Sequence, residues 1–267
     1  MPNFDNIFLK LNRADEKFLA LSKDMAAFCK ENPIMLDAQL RDDRLGINLV
    51  CQMEKMIAPS QEWSLELGEI VYSLRSALDN LIYACAQTFA DPPSQPRELQ
   101  FPIIQESRNY SKAVNKIVSQ LPNEISNLLE RVQPYQRTRP DVEGSPEHDP
   151  LVLLNWISNH DKHRMPVPFL VPPKQIEFSQ SCEFASDADA AANIPPDVVV
   201  HVGPLFHDML LLEYRTKHPV KKVVGQFKIA AHVAIETHVG TQEVSEVIGQ
   251  LIWYTRLIVD EFFKKIK

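Results

Sequence analysis

A chain of 267 residues, of which 45% are hydrophobic and 24% charged, can bury a sizeable core, and this excludes global disorder. A formal charge of -7 opposes the broad basic footprint of a protein that grips duplex nucleic acid through its phosphates, while leaving room for a local basic pocket. The four cysteines, Cys29, Cys51, Cys85 and Cys182, are scattered with no C-x-x-C pair, so they read as buried thiols rather than a zinc or disulfide framework. The opening residues are interrupted by Asp5, Lys10, Arg13, Asp15 and Glu16, unlike a secretory signal, and nothing approaches the roughly 20 apolar residues that span a bilayer. The expectation is a cytoplasmic protein without membrane contact.

Along the chain, Phe4, Ile7, Phe8, Leu11, Ala14, Phe18, Leu21, Met25 and Phe28 recur at spacings of three and four, which predicts an amphipathic helix stopped by Pro33. Met35 to Met53 mixes β-formers around a polar Arg41-Asp42-Asp43-Arg44 centre and Gly46, which predicts a hairpin over about 34–54. A second helix is expected from Ser64 to Phe89, ended by Pro92, Pro93 and Pro96. Two shorter helices, broken near Pro122, fill Ser107 to Arg131, and loop chemistry follows from Gln133 to Pro150. The apolar run Leu151 to Ile157 reads as a short helix whose polar end carries Asn159-His160-Asp161-Lys162-His163-Arg164, with Pro166 and Pro168 preventing a long continuation.

From Val167 to Val239 the period changes to two. Phe227, Ile229, Ala231, Val233, Ile235 and Thr237 alternate with polar neighbours as one half-buried antiparallel strand, and Asp197 to Val202 and Met209 to Thr216 are further strands. Ser186 to Asp197 reads as a mobile loop. A final helix from about Thr241 carries Val244, Ile248, Leu251, Thr255, Ile258 and Phe262 on one face, suited to packing on the first two helices. The implied fold class is α+β in a single domain: a helical core from 1–33, 63–164 and 241–267, with a β insertion over about 167–239.

Two segments carry candidate chemistry. In LRSALDN, Arg75 and Asp79 are four apart and neighbours on one flank of a helix. They form either an anion clamp, with Asp79 orienting the guanidinium, or a helix-stabilising ion pair. In NHDKHR, His163 can move a proton near neutral pH, Lys162 and Arg164 can hold an anion, and Asp161 can set a charge or tautomer. The competing reading is a helix C-terminus enriched in cations by the macrodipole. His160 and His163 have a spacing that can ligate a metal, but no third ligand is identifiable, so neither metal nor cofactor is expected. His232 and His238, six apart on a strand, are about 20 Å from one another and read as a solvated face, with Glu236 an ordinary neighbour. The stretch around Tyr135, Arg137 and Arg139 has the composition of either a single-strand nucleic-acid contact or a plain soluble loop. With 7 glycines the chain has no phosphate-binding loop, dinucleotide fingerprint or serine-hydrolase elbow.

Taken together, LGEIVYSLRSALDNLIYA, FPI at Phe101 to Ile103, QPY at Gln133 to Tyr135 and LLNWISNHDKHR resemble a widespread bacterial family of uncharacterised proteins with an LRSALDH-like helix followed by FPI, QPY and DKHR motifs. The likeness spans roughly residues 1–170 and implies no activity. A second resemblance is to HEPN-like helical-bundle proteins, whose hallmark is an Arg followed by four to six residues and a His, and many of which are metal-independent RNases or partners of nucleotidyltransferases in defence and toxin systems. Arg75 matches the Arg, while Asn80 stands where the shortest spacing puts the His, and an amide cannot serve as a general acid or base.

The expectation is one polar pocket between two helices, built from Arg75, Asp79, Asn80, Asn159, His160, Asp161, Lys162, His163 and Arg164, for an anionic ligand with RNA as candidate. In a catalytic version His163 moves the proton and Arg75 and Lys162 stabilise the phosphate. In the alternative the same cluster is a structural ion-pair network of a non-enzymatic interaction or assembly protein. The apolar stripes of the terminal helices would also suit a homodimer.

Overall fold

The computed structural model describes residues 4–32, 34–52, 58–138, 144–163, 167–194, 197–201 and 206–266, and the side chains of 162–163, 173–181 and 224–231 lie outside that description. Its helices are α1 (Asp5–Glu31), α2 (Glu62–Phe89), α3 (Ser107–Val118), α4 (Asn123–Arg131), α5 (Pro150–His163), α6 (Asp187–Ala192) and α7 (Val244–Ile266). Its strands are β1 (Ile34–Leu40), β2 (Gly46–Gln52), β3 (Phe169–Leu170), β4 (Pro173–Glu183), β5 (Asp197–Val200), β6 (Leu210–Arg215), β7 (Lys222–Ala231), β8 (Ala234–Thr237) and β9 (Gly240–Glu243). The fold is α+β. Among the described residues no helix is long and apolar enough to cross a membrane.

The contacts divide the chain into two compact units, one of residues 1–22, 60–168 and 235–267, the other of 23–59 and 169–234. The edges at 168/169 and 234/235 run close to those that the change of hydrophobic period draws, while the one at 22/23 falls inside α1.

In the helical unit, α1 buries Ile7, Leu11, Ala14 and Leu21, the three-and-four-spaced stripe of its sequence. Helix α2 buries Leu67, Ile70, Val71, Leu74, Leu78 and Leu81 in the same way, and α7 buries Val244, Ile248, Leu251, Thr255, Ile258 and Phe262. Both chain ends close this core: Phe263 meets Phe4 and Phe8 edge-on at centroid distances of 5.3 and 5.7 Å, and Arg256 pairs with Asp15. Phe101, fully buried, packs its ring 6.4 Å from that of Phe262. β8 and β9 form a hairpin leading into α7.

In the sheet unit, six antiparallel strands run in the order β4-β7-β1-β2-β6-β5. The N-terminal hairpin, expected as a separate element, is therefore the centre of the same sheet that the later strands complete. Ile34, Leu36, Ile47, Leu49, Cys51, Leu211 and Leu212 pack its covered face. Gly46, at φ +137, lies where a Cβ would stand 2.0 Å from the Tyr214 carbonyl, so close approach of β6 requires glycine there.

Three expectations change. The long strand through Phe227 and Thr237 is two strands, β7 ending at Ala231 and β8 starting at Ala234, joined in different sheets; alternation of side chains persisted across a break at His232–Val233 that carries no Gly or Pro signal. The loop at Ser186 contains α6, whose first turn is capped by the Ser186 hydroxyl accepting from the Asp189 N–H at 3.2 Å. Of the cysteines, Cys51 and Cys85 are buried and Cys29 and Cys182 only partly so, and burial pushes the Cys85 thiol up to about 12.

Candidate functional site

The described members of the expected cluster lie in three places, all within the helical unit. The first is the C-terminal half of α2. Arg75 donates from Nη2 to the Phe101 carbonyl at 2.6 Å, and Asp79 Oδ1 accepts the Phe101 N–H at 2.8 Å. The two side chains are 3.3 Å apart, so one guanidinium–carboxylate pair grips both polar groups of a single residue in the FPI segment. This segment has no regular secondary structure, and its backbone must be satisfied by side chains. Burial pushes the Arg75 pKa down, opposed by the Asp79 carboxylate, and Nη1 is buried without a partner among the described residues. Asn80, one residue on, is half-buried.

The second place is an open cleft of about 640 Å³ between α1, α2 and α5, lined by Arg13, Lys17, Gly68, Tyr72, Ser158 and Asp161 among others. Gly68 makes it. A Cβ there would stand 2.7 Å from Asp161 Oδ1, so the bare glycine seats the carboxylate of the NHDKHR segment directly against α2. Across the cleft, Lys10, Arg13 and Lys17 follow one another at spacings of three and four on α1 and so share a face. The Lys10 ammonium sits 5.9 Å over the ring of Tyr72, which is 60% exposed. Lys17 pairs with Glu69 and holds its carboxyl below the usual range, while Arg13 pairs with Glu16 at 3.3 Å on the exposed side.

The third place is the opposite flank of α5. Asn159 and His160 join Asn155, Trp156, Gln105 and His238 around a recess of about 550 Å³. The His160 ring stacks on the Trp156 indole at 4.5 Å and 29°, and the His238 ring lies 5.8 Å from it at 33°. His238 is thus not simply a solvated strand residue. Its Nε2 lies 2.8 Å from the Glu147 carbonyl, and because a carbonyl only accepts, Nε2 carries the hydrogen and Nδ1 is left as an acceptor in the neutral ring. Glu236 turns instead to the Thr241 hydroxyl.

Helix α5 is held between these two recesses by its start. Asp149, whose side chain is 2% exposed, accepts the Leu151 N–H at 2.8 Å and pairs with Arg137; burial pushes its carboxyl upward against both partners. Arg137 lies 5.8 Å from the Tyr254 ring centroid. The QPY segment is thereby structural: Tyr135 is buried against Tyr110, 5.6 Å between centroids, bonds Glu130 at 2.9 Å, and has no free face for a base, its phenol pushed up to about 12 by burial. Arg139 and Arg164 lie outside the described residues, as do the side chains of Lys162 and His163.

Sequence reasoning missed Lys10, Arg13, Lys17, Tyr72 and Gly68. The signal for the last was present, since an isolated glycine inside a long helical pattern costs about 1 kcal/mol and calls for a packing or functional reason. The cation stripe of α1 reads as an ordinary solvated face until Tyr72 is seen beside it. Among the described residues no three His, Cys, Asp or Glu side chains gather at one point. Compared with protein-family models, with curated proteins and with solved structures, the chain matches none.

Proposed function

We propose that the protein is a binding module built on a HEPN-like bundle, that the α1–α2–α5 cleft takes a single-stranded anionic ligand, RNA being the class that fits, and that the Arg75–Asp79 pair is structural rather than catalytic. The observation that carries this reading is the exposed Tyr72 ring flanked by Lys10, Arg13 and Lys17. A stacking face beside a row of cations is what a single strand needs, because every base has a π-face and every linkage a phosphate. The net charge of -7 does not oppose this, since the contact is local. The Asp161 carboxylate, seated against Gly68 of α2, keeps the anion toward α1, where Glu69 already pairs with Lys17. In sequence, Lys162, His163 and Arg164 follow Asp161 directly.

Fluorescence anisotropy with a short labelled RNA, in EDTA and over a salt series, tests it. Binding is expected, and changing Lys10, Arg13 and Lys17 together to Gln should flatten the slope of log K against log salt by roughly 2, at about 0.7 per phosphate on a single strand. An unchanged slope removes the cleft as the site. The same samples run on a gel test turnover: cleavage in EDTA that is abolished by His163→Ala would replace the binding reading with a metal-independent RNase in which His163 moves the proton and Lys162 stabilises the phosphate.

A further inference from the structure

The recess on the far flank of α5 differs in kind from the cleft. None of Gln105, Val152, Asn155, Trp156, Asn159, His160 and His238 carries a fixed charge. Three primary amides face one space, and among the described residues none of the three side-chain amides makes a hydrogen bond within the protein. An amide presents a donor and an acceptor side by side, the complement of a base edge that offers both, as in the pairing of Asn or Gln with adenine. The His238 Nδ1 adds an acceptor, its position fixed through the Nε2 bond to Glu147. Beside them stands a wall of three rings, His160 stacked on Trp156 and His238 tilted against the same indole, against which a further planar ring can lie. The volume of about 550 Å³ admits a nucleoside.

We propose that this recess binds a nucleobase, stacked on the His160–Trp156–His238 wall and read along its edge by Asn155, Asn159 and Gln105. The base is supplied by a free nucleotide or by the end of an RNA strand, and the proposal stands independently of the cleft on the other side of α5. The neutral lining places recognition on the base and not on the phosphate.

The test is intrinsic fluorescence of the full chain carrying Trp253→Phe, which removes the exposed second indole and leaves Trp156 against the buried Trp63. Adenosine, AMP and a short oligoadenylate are the probes, with N-acetylglucosamine as the sugar arm. Saturable quenching by adenosine, with AMP within about threefold of it, is expected. Asn159→Ala, at an exposed position, should weaken adenosine about tenfold, and Gln105→Ala should act in the same direction. Oligoadenylate binding that Asn159→Ala weakens identifies a strand end as a competent source, whereas response to the free nucleoside alone identifies the small molecule. Saturation by the sugar in place of adenosine, no saturation by any probe, or adenosine affinity unmoved by both amide variants overturns the proposal. Oligonucleotide binding that survives those variants but falls with the Lys10, Arg13 and Lys17 change would overturn the recess and leave the cleft standing.

Discussion

Helix α2 carries two polar stretches of opposite character, both in its interior turns. At Arg75–Asp79 the pair is spent on the protein itself, both polar groups of Phe101 being gripped, and the environment is buried enough to depress the arginine. At Gly68–Tyr72, two turns earlier on the same helix, an exposed ring and an open cleft leave polar groups facing solvent. One helix thus carries a fastening and, on the proposed reading, a receptor, and what separates them is whether a segment of chain already occupies the polar groups.

The contrast can be broken by mutation. The largest effect is expected at the closed stretch: Asp79→Ala strands a guanidinium whose side chain is 15% exposed and should cost about 3 kcal/mol in a denaturant or thermal melt, with RNA affinity of the folded protein unchanged. An affinity loss without a loss of stability would make Arg75 part of the site after all. At the open stretch the expectation reverses. Tyr72→Ala should leave the melting temperature alone and weaken RNA binding by about 1–3 kcal/mol whatever the base sequence. Gly68→Ala is subtler: the added methyl must push the Asp161 carboxylate aside, while helix propensity gains about 1 kcal/mol, so net stability should move by less than about 1 kcal/mol. A change in RNA affinity in that variant would tie Asp161 to the ligand. The smallest effect concerns Lys17–Glu69. Because the lysine holds the glutamate below its usual range, the pair's contribution is present above the ordinary glutamate pKa and fades as pH falls through the depressed folded-state value. The melting-temperature gap between wild type and Lys17→Met should therefore close between neutral pH and about pH 3; a gap that stays constant would assign Lys17 a packing role alone.

Much of the architecture was legible because periodicity is a local property. The apolar stripes of α2 and α7 are the residues that the structure buries, as are Ile7, Leu11, Ala14, Leu21 and Met25 of the α1 stripe, whose phenylalanines stay half-buried, and the break near Pro122 separates α3 from α4. What could not be read was pairing at a distance. The hairpin of β1 and β2 looks self-contained in sequence, yet β7 pairs with β1 and β6 with β2, and nothing in residues 34–52 encodes those partners. The site divides along the same line. That Arg75 and Asp79 touch follows from their spacing; that they hold Phe101 does not, since the FPI motif gives no sign of which charges will satisfy its backbone. Asn159, His160 and Asp161 look like one cluster in sequence, but consecutive helical residues turn by about 100°, which sends the first two to one flank and the third to the other.

The helical unit is stitched from the two ends of the chain, with Arg256 reaching Asp15 across a separation of 241 residues. During synthesis α1 emerges long before α7 exists, so its contacts with α7 form only after the intervening sheet strands have been made. Closure of that unit therefore spans a very long loop, and its contact separation is among the largest the chain can make, which raises the entropic cost of bringing α1 to α7.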